Sequence, residues 1–201
     1  MKLFYSPGAC SLSPHIALQE TQQQYELVCV DLSKKLTEQG ADYKAINIKG
    51  GVPAIQLESG EVLTEGPAIV QYIADQKPDA GLIAKPGTME RYRQQEALNF
   101  ITSDLHKGIG TLFAGDLSDS AKTELKARLK SRFELVENQL KKQPYIAGQN
   151  YSVADGYLFT VLRWCTPLNI DLSDYPTIQA YQQKIAQRPA VQAAMKAEGI
   201  A

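Results

Sequence analysis

Cysteine, histidine and tryptophan are scarce in this sequence, which has three Cys, two His and one Trp in 201 residues. Cys10, Cys29 and Cys165 are odd in number and widely spaced, with no C-x-x-C pair, so neither a disulfide framework nor a zinc site is expected. Neither histidine has a nearby carboxylate pattern of metal-ligand spacing, so no metal is expected. No apolar run approaches the roughly 18 residues of a membrane span. The N-terminal stretch MKLFYSPGACSL meets Ser6, Pro7 and Gly8 before an apolar segment of signal-peptide length develops, so a reducing cytoplasm is the expected location. Neither sign of charge dominates: 21 Lys+Arg against 22 Asp+Glu give a net charge of −1, and no global field recruits nucleic acid or an anionic membrane. The nucleotide cradles G-x-x-x-x-G-K-[ST] and G-x-G-x-x-G are missing as well.

What remains is an ordinary globular composition, 44% hydrophobic and 21% charged, in a chain long enough for two small domains. Lys2 to Tyr5 read as a strand, followed by turn residues and a helix through about Glu20. Pro14 fits only a first turn, so that helix begins around Ser11 to Ser13 and Cys10 lies at or just before its start. Leu27 to Val30 form a second apolar run, completing a βαβ unit with parallel strands. Residues 52–63 carry two apolar runs around Glu58-Ser59-Gly60, the signal of an antiparallel hairpin. A helix from about Gly66 to Asp75 follows, with Pro67 in its first turn and Ile69, Val70 and Ile73 on one face.

Pro78, Gly81, Pro86 and Gly87 mark a linker, and the text beyond it reads as helical. Two long segments, Met89 to about Phe113 and Ser118 to about Lys142, carry apolar residues at helical spacing. Ser152-Val153-Ala154-Asp155 reads as a capping box opening an apolar helix that includes Tyr157 and Trp164. Ile178 to Gln187 and Pro189 to Lys196 close the chain. The expected division is therefore 1–81 and 87–201.

Cys10 sits where helix N–H groups and the helix dipole favour a thiolate, although a buried structural thiol is the alternative reading. Cys29 and Cys165 read as core residues. Ser11 either caps the helix or donates its hydroxyl to a bound sulfur. Gly51-Val52-Pro53 places a proline at the head of a strand, where it exposes the preceding backbone N–H and C=O to a peptide-like ligand. Glu65-Gly66 opens the next helix, where Gly66 N–H suits a carboxylate and Glu65 an ammonium, or else the pair is ordinary capping. Asn99, Ser103, His106 and Lys107 fall at i, i+4, i+7 and i+8 and share one helical face, either a solvated stripe or part of a site. His15 reads as structural.

These segments together, Cys10-Ser11-Leu12-Ser13-Pro14-His15, Gly51-Val52-Pro53, Leu63-Thr64-Glu65-Gly66, Leu105-His106-Lys107-Gly108, Tyr151 to Asp155 and Ala186-Gln187-Arg188-Pro189, resemble the bacterial beta-class glutathione transferases from end to end. The resemblance implies an α/β thioredoxin-like N-terminal domain, an all-α C-terminal domain and a homodimer, with glutathione held in the cleft between domains as co-substrate and no other cofactor. It implies that Cys10 lies beside the glutathione sulfur and that Val52, next to Pro53, pairs with the cysteinyl part. Lys35 would hold the glycyl carboxylate, and Glu65 with Gly66 N–H the γ-glutamyl end. Asn99, Ser103, Asp104, Leu105, His106 and Lys107 would border the site. Cys10, Ser11, His106 and Lys107 are the expected catalytic group. The expected activity is conjugation of the glutathione thiolate to apolar electrophilic xenobiotics. Thiol–disulfide exchange or peroxide reduction through Cys10 is the alternative, with non-catalytic binding of apolar ligands as a third reading. The chain departs from the family pattern at Ile109-Gly110-Thr111, where an aromatic residue and a proline are usual, and this is expected to loosen the helix. It departs again at Asp104, shorter by one methylene than the usual Glu.

Overall fold

The computed structural model describes residues 1–201. The chain forms two compact units, Met1–Ile83 together with Arg188–Ala201, and Ala84–Gln187.

The first unit begins with the expected βαβ. Strand β1 (Lys2–Tyr5) pairs in parallel with β2 (Glu26–Asp31) across helix α1 (Leu12–Thr21). A two-residue strand β3 (Leu36–Thr37) and a single turn α2 (Tyr43–Ile46) follow, neither of which the sequence pattern announces. The hairpin of β4 (Ala54–Gln56) and β5 (Val62–Thr64) is antiparallel, and β4 lies antiparallel to β1. The strand order β3-β2-β1-β4-β5 puts β1 at the centre. Both faces of β1 are covered, since adjacent Leu3 and Phe4 are 0% and 2% exposed and point to opposite sides. Phe4 joins Val28, Val30, Tyr43 and Ala54 in one cluster. Leu3 and its cross-strand partner Ile55 turn the other way, toward α1 and α3 (Gly66–Asp75). As the 3–4 spacing requires, Ile69, Val70 and Ile73 of α3 are fully buried, each side chain contributing about 1.5–3 kcal/mol relative to exposure.

The C-terminal helix α9 (Pro189–Ala197) packs against α1, so residues 188–201 belong with the first unit and not with the helical one. Three polar contacts fasten them. Arg188 Nε and Nη2 reach the Glu20 carboxylate at 2.6 and 3.0 Å. Glu198 accepts from Gly8 N–H at 2.9 Å and meets His15 Nδ1 at 2.9 Å. His15, wholly buried, reaches Tyr25 through its other nitrogen, in keeping with a structural role. All these partners are more than 160 residues apart along the chain, or else offer no local pattern, so sequence periodicity could not join them.

The second unit is helical: α4 (Met89–Phe100), a π-helical stretch Ile101–His106, α5 (Lys107–Thr111), α6 (Asp119–Lys142), α7 (Val153–Leu162) and α8 (Pro176–Ala186). The long segment expected from Met89 to Phe113 is thus interrupted by a π stretch, while the expected loosening at Ile109-Gly110-Thr111 does not occur, because α5 continues through Thr111. Asp155 fixes the start of α7. Its Oδ2 accepts from the Ser152 N–H and hydroxyl, and its Oδ1 accepts from Ile146 N–H and Tyr181 Oη, all within 2.9 Å. Burial nevertheless pushes the Asp155 carboxyl above its usual range, with those donors working against the shift.

Candidate functional site

In the first unit, Cys10, Val52, Glu65 and Gly66 come from three loops that the sheet ends bring together. Cys10 lies in the turn before α1 and donates its thiol proton to the Val52 carbonyl at 3.0 Å. Its own N–H and that of Ser11 point at the sulfur and favour the anion, but burial outweighs them and Glu65 adds repulsion, so the thiol is pushed up to about 11. This corrects the expectation of a thiolate at the helix start: near neutrality the free chain carries a neutral Cys10 thiol. Ser11 is corrected too. Its side chain is wholly buried, accepts from Ser6 N–H at 3.1 Å and donates to Ser6 O at 3.2 Å. It therefore braces the turn from within and is neither cap nor ligand group.

The Val52–Pro53 peptide is cis. Pro53 is buried and its ring packs toward Gly66, so Pro53 orients the segment while Val52 presents it. The loop is fixed from behind by Tyr43 Oη and Asn47 Nδ2, each donating to Gly51 O at 2.8 Å, and by Lys35 Nζ, which donates to Gly50 O at 3.0 Å. The Val52 N–H makes no bond within the chain, and its C=O has only the thiol as partner. A free N–H beside a weakly held C=O is the pairing pattern of an open peptide edge.

Glu65 stands at the N-terminus of α3 with φ 73° and ψ 114°, a backbone conformation that costs an L-residue about 1–3 kcal/mol. Lys49, which the sequence reading passed over, donates to both Thr64 Oγ1 and the Glu65 carboxylate. Lys35 is likewise left-handed at φ 59°. Of the non-glycine residues with positive φ, two are therefore residues expected to bind ligand ends. Pro67 removes one donor from the first turn of α3, and the N–H groups of Gly66 and Ala68 have no acceptor within the helix.

The second unit divides the polar stripe that the sequence placed on one face. A π turn advances less per residue than an α turn, so His106 parts company with Ser103. Ser103 Oγ lies 3.0 Å from Asn99 O and 2.8 Å from Asp104 Oδ2, and Asp104 Oδ1 accepts from Arg132 Nε at 2.6 Å on α6. Ser103, Asp104 and Lys107 line a cleft of about 230 Å³ with Arg128 and Arg132. Lys107 is exposed and makes no ion pair. His106 turns instead to α7, where Nδ1 meets Tyr157 Oη at 2.5 Å, and Trp164 stands edge-on at 4.8 Å between ring centroids. Burial holds the His106 imidazole below its ordinary range. Leu105 is corrected from ligand contact to core, since its side chain is fully buried. Cys165 is buried as expected, whereas Cys29 is only half-buried, on the β2 face opposite Val28 and Val30.

Two family models match the chain: the glutathione S-transferase N-terminal domain over residues 8–76 and the glutathione S-transferase C-terminal domain over residues 100–189. Glutathione S-transferase GstA of Escherichia coli O157:H7 is 47% identical over 200 residues, with full coverage of both chains. Among solved structures, a sphingomonad glutathione S-transferase complexed with glutathione is 49% identical with a TM-score of 0.96, and the bacterial beta-class glutathione S-transferase of Sphingomonas chungbukensis is 49% identical with a TM-score of 0.97. Both cover the whole of this chain and are covered in full by it. With a thioredoxin-like sheet in one unit and an all-helical second unit, the chain belongs to the glutathione S-transferase family and matches its bacterial beta class over the full length.

Proposed function

We propose that this chain conjugates glutathione to apolar electrophiles, and that its first unit holds the tripeptide along the Val52 edge. The observation that carries the reading is the open N–H and thiol-held C=O of Val52 between Cys10 and the strained Glu65. A ligand peptide N–H arriving at Val52 O displaces the Cys10 thiol, whose proton is then available to the ligand's sulfur. A neutral thiol suits this task, since a thiolate there would repel a second sulfur anion. Glu65 and the free N–H groups of α3 match the ammonium and carboxylate of the γ-glutamyl end. The Lys35 ammonium, with two donors left beyond its bond to Gly50 O, matches the glycyl carboxylate.

In the reaction the glutathione thiol loses its proton to solvent. The sulfur then forms a bond to the electrophilic carbon, and the leaving group departs with the electron pair. The helical unit supports an apolar second substrate: half-exposed Phe113 stands edge-on to Trp164 at 5.9 Å, and Trp164 to His106. The His106 ring is assigned to stabilising the sulfur anion, Lys107 lies instead in the cleft with Arg128 and Arg132, and the active species is read as a homodimer.

Calorimetric titration with reduced glutathione tests the binding reading. Saturable binding that weakens with cysteinylglycine, which lacks the γ-glutamyl end, and with Glu65→Gln supports it. Equal affinity for both ligands removes Glu65 and the α3 terminus from the site.

A further inference from the structure

Sequence patterning treats Tyr157 as one more apolar residue of α7, and a phenylalanine would fill the same volume. The hydroxyl is the anomaly. Tyr157 is 2% exposed, and its oxygen is aimed at His106 Nδ1, 2.5 Å away, with Thr102 Oγ1 at 3.4 Å. Thr102 Oγ1 donates to Leu98 O at 2.8 Å and reaches the phenol oxygen only at 3.4 Å, so the phenol's short contact is the one to Nδ1. The imidazole lies in a half-buried, aromatic setting, and no charged group contributes to its shift. It faces Tyr157 from α7, Trp164 from the turn after α7, and Gly110 one turn along its own helix, where a Cβ would stand 3.5 Å from His106 Cδ2. A neutral imidazole carries a single proton, and which nitrogen holds it is set by the bond the other one makes. His106 Nε2 makes no hydrogen bond within the chain.

We infer that Tyr157 is a positioning residue: by donating to Nδ1 it fixes His106 as the Nε2–H tautomer and so makes Nε2 a hydrogen-bond donor for an anionic sulfur. The inference rests on the reading that His106 stabilises the glutathione thiolate. Its structural half is independent of that reading. Without the phenol, the Nδ1–H tautomer and the freely rotated ring become available, and the donor is diluted among states that do not point at the ligand.

Long-range nitrogen–proton correlation spectra of the wild-type chain read the tautomer directly. Only two histidines contribute, and His106→Gln removes one set of signals for assignment. At neutral pH the expected pattern is an unprotonated Nδ1 and a protonated Nε2 for His106, and a protonated Nδ1 overturns the inference. In Tyr157→Phe the two tautomers should mix, and kcat should fall about tenfold, the scale of one hydrogen bond, while KM for glutathione stays within about twofold. In a His106→Ala background the same Tyr157→Phe change should cost nothing further. An equal loss with and without His106 makes Tyr157 merely structural and overturns the proposal. A wild-type chain with the Nε2–H tautomer but no conjugation overturns the glutathione reading, whereas an active chain with the Nδ1–H tautomer overturns this one.

Discussion

At Cys10 two backbone N–H groups favour the anion, while burial and the nearby Glu65 carboxylate oppose it and prevail, leaving the group at about 11. The thiolate is then about one part in ten thousand at pH 7. Alkylation of Cys10 in the free chain should therefore be slow at neutrality and rise with pH toward a midpoint near 11, as mass-spectrometric mapping of the three cysteines would show. A fast phase on Cys10 with a midpoint below 8 would contradict the buried thiol. At Glu65, exchange for Gln should cost glutathione affinity about 1.5–3 kcal/mol, the range of a charge-assisted bond. Lys49→Met should change stability by no more than about 0.5 kcal/mol, because the Lys49–Glu65 pair is exposed. His106 has its folded value held below the unfolded one by burial. It therefore contributes stability that is complete above about pH 6.5 and is lost as pH falls through the folded value. His106→Gln should flatten that acid limb in denaturant titrations followed from pH 7 downward.

Among the elements, the start of α7 hangs on one side chain. Asp155→Ala leaves the N–H groups of Ser152 and Ile146 buried without an acceptor, and the Tyr181 hydroxyl with only the long 3.4 Å contact to the carbonyl of residue 155. The expected loss is about 3–5 kcal/mol, read as a fall in the denaturant midpoint. That element was legible in the sequence because Ser152 and Asp155 are three residues apart and a cap is a local device. The βαβ unit, the β4–β5 hairpin and the buried face of α3 were legible for the same reason, each being written in periods and turn signals along one contiguous stretch of chain. The π stretch was not. Asn99, Ser103, His106 and Lys107 have α-helical spacing, and what turns His106 toward Tyr157 is tertiary contact with α7 and Trp164. Strand β3 and turn α2 were missed because two and four residues show no period. At the site, Cys10, Val52 and Glu65-Gly66 could be picked out from positions at strand and helix ends. Lys49, Tyr43 and Asn47 could not, since their partners lie across loops.

At the scale of the whole molecule, chain order and structural unit part company at Arg188, because α9 returns to α1 and closes the first unit. A chain ending at Gln187 should lose protection in β1 and α1 while α6 and α7 keep theirs, as hydrogen exchange resolved by segment would show. Uniform loss in both units would contradict the assignment of the last 14 residues to the first unit. The central proposal is that this molecule holds glutathione on its Val52 edge and joins the glutathione sulfur to an electrophilic carbon. The most direct measurement is the initial rate of thioether formation from glutathione and an activated aryl halide at neutral pH, for the wild-type chain beside Glu65→Gln. The account predicts turnover that saturates in glutathione, with a KM for glutathione raised at least about tenfold in Glu65→Gln. A rate no greater than that of glutathione and the halide alone in buffer would contradict it.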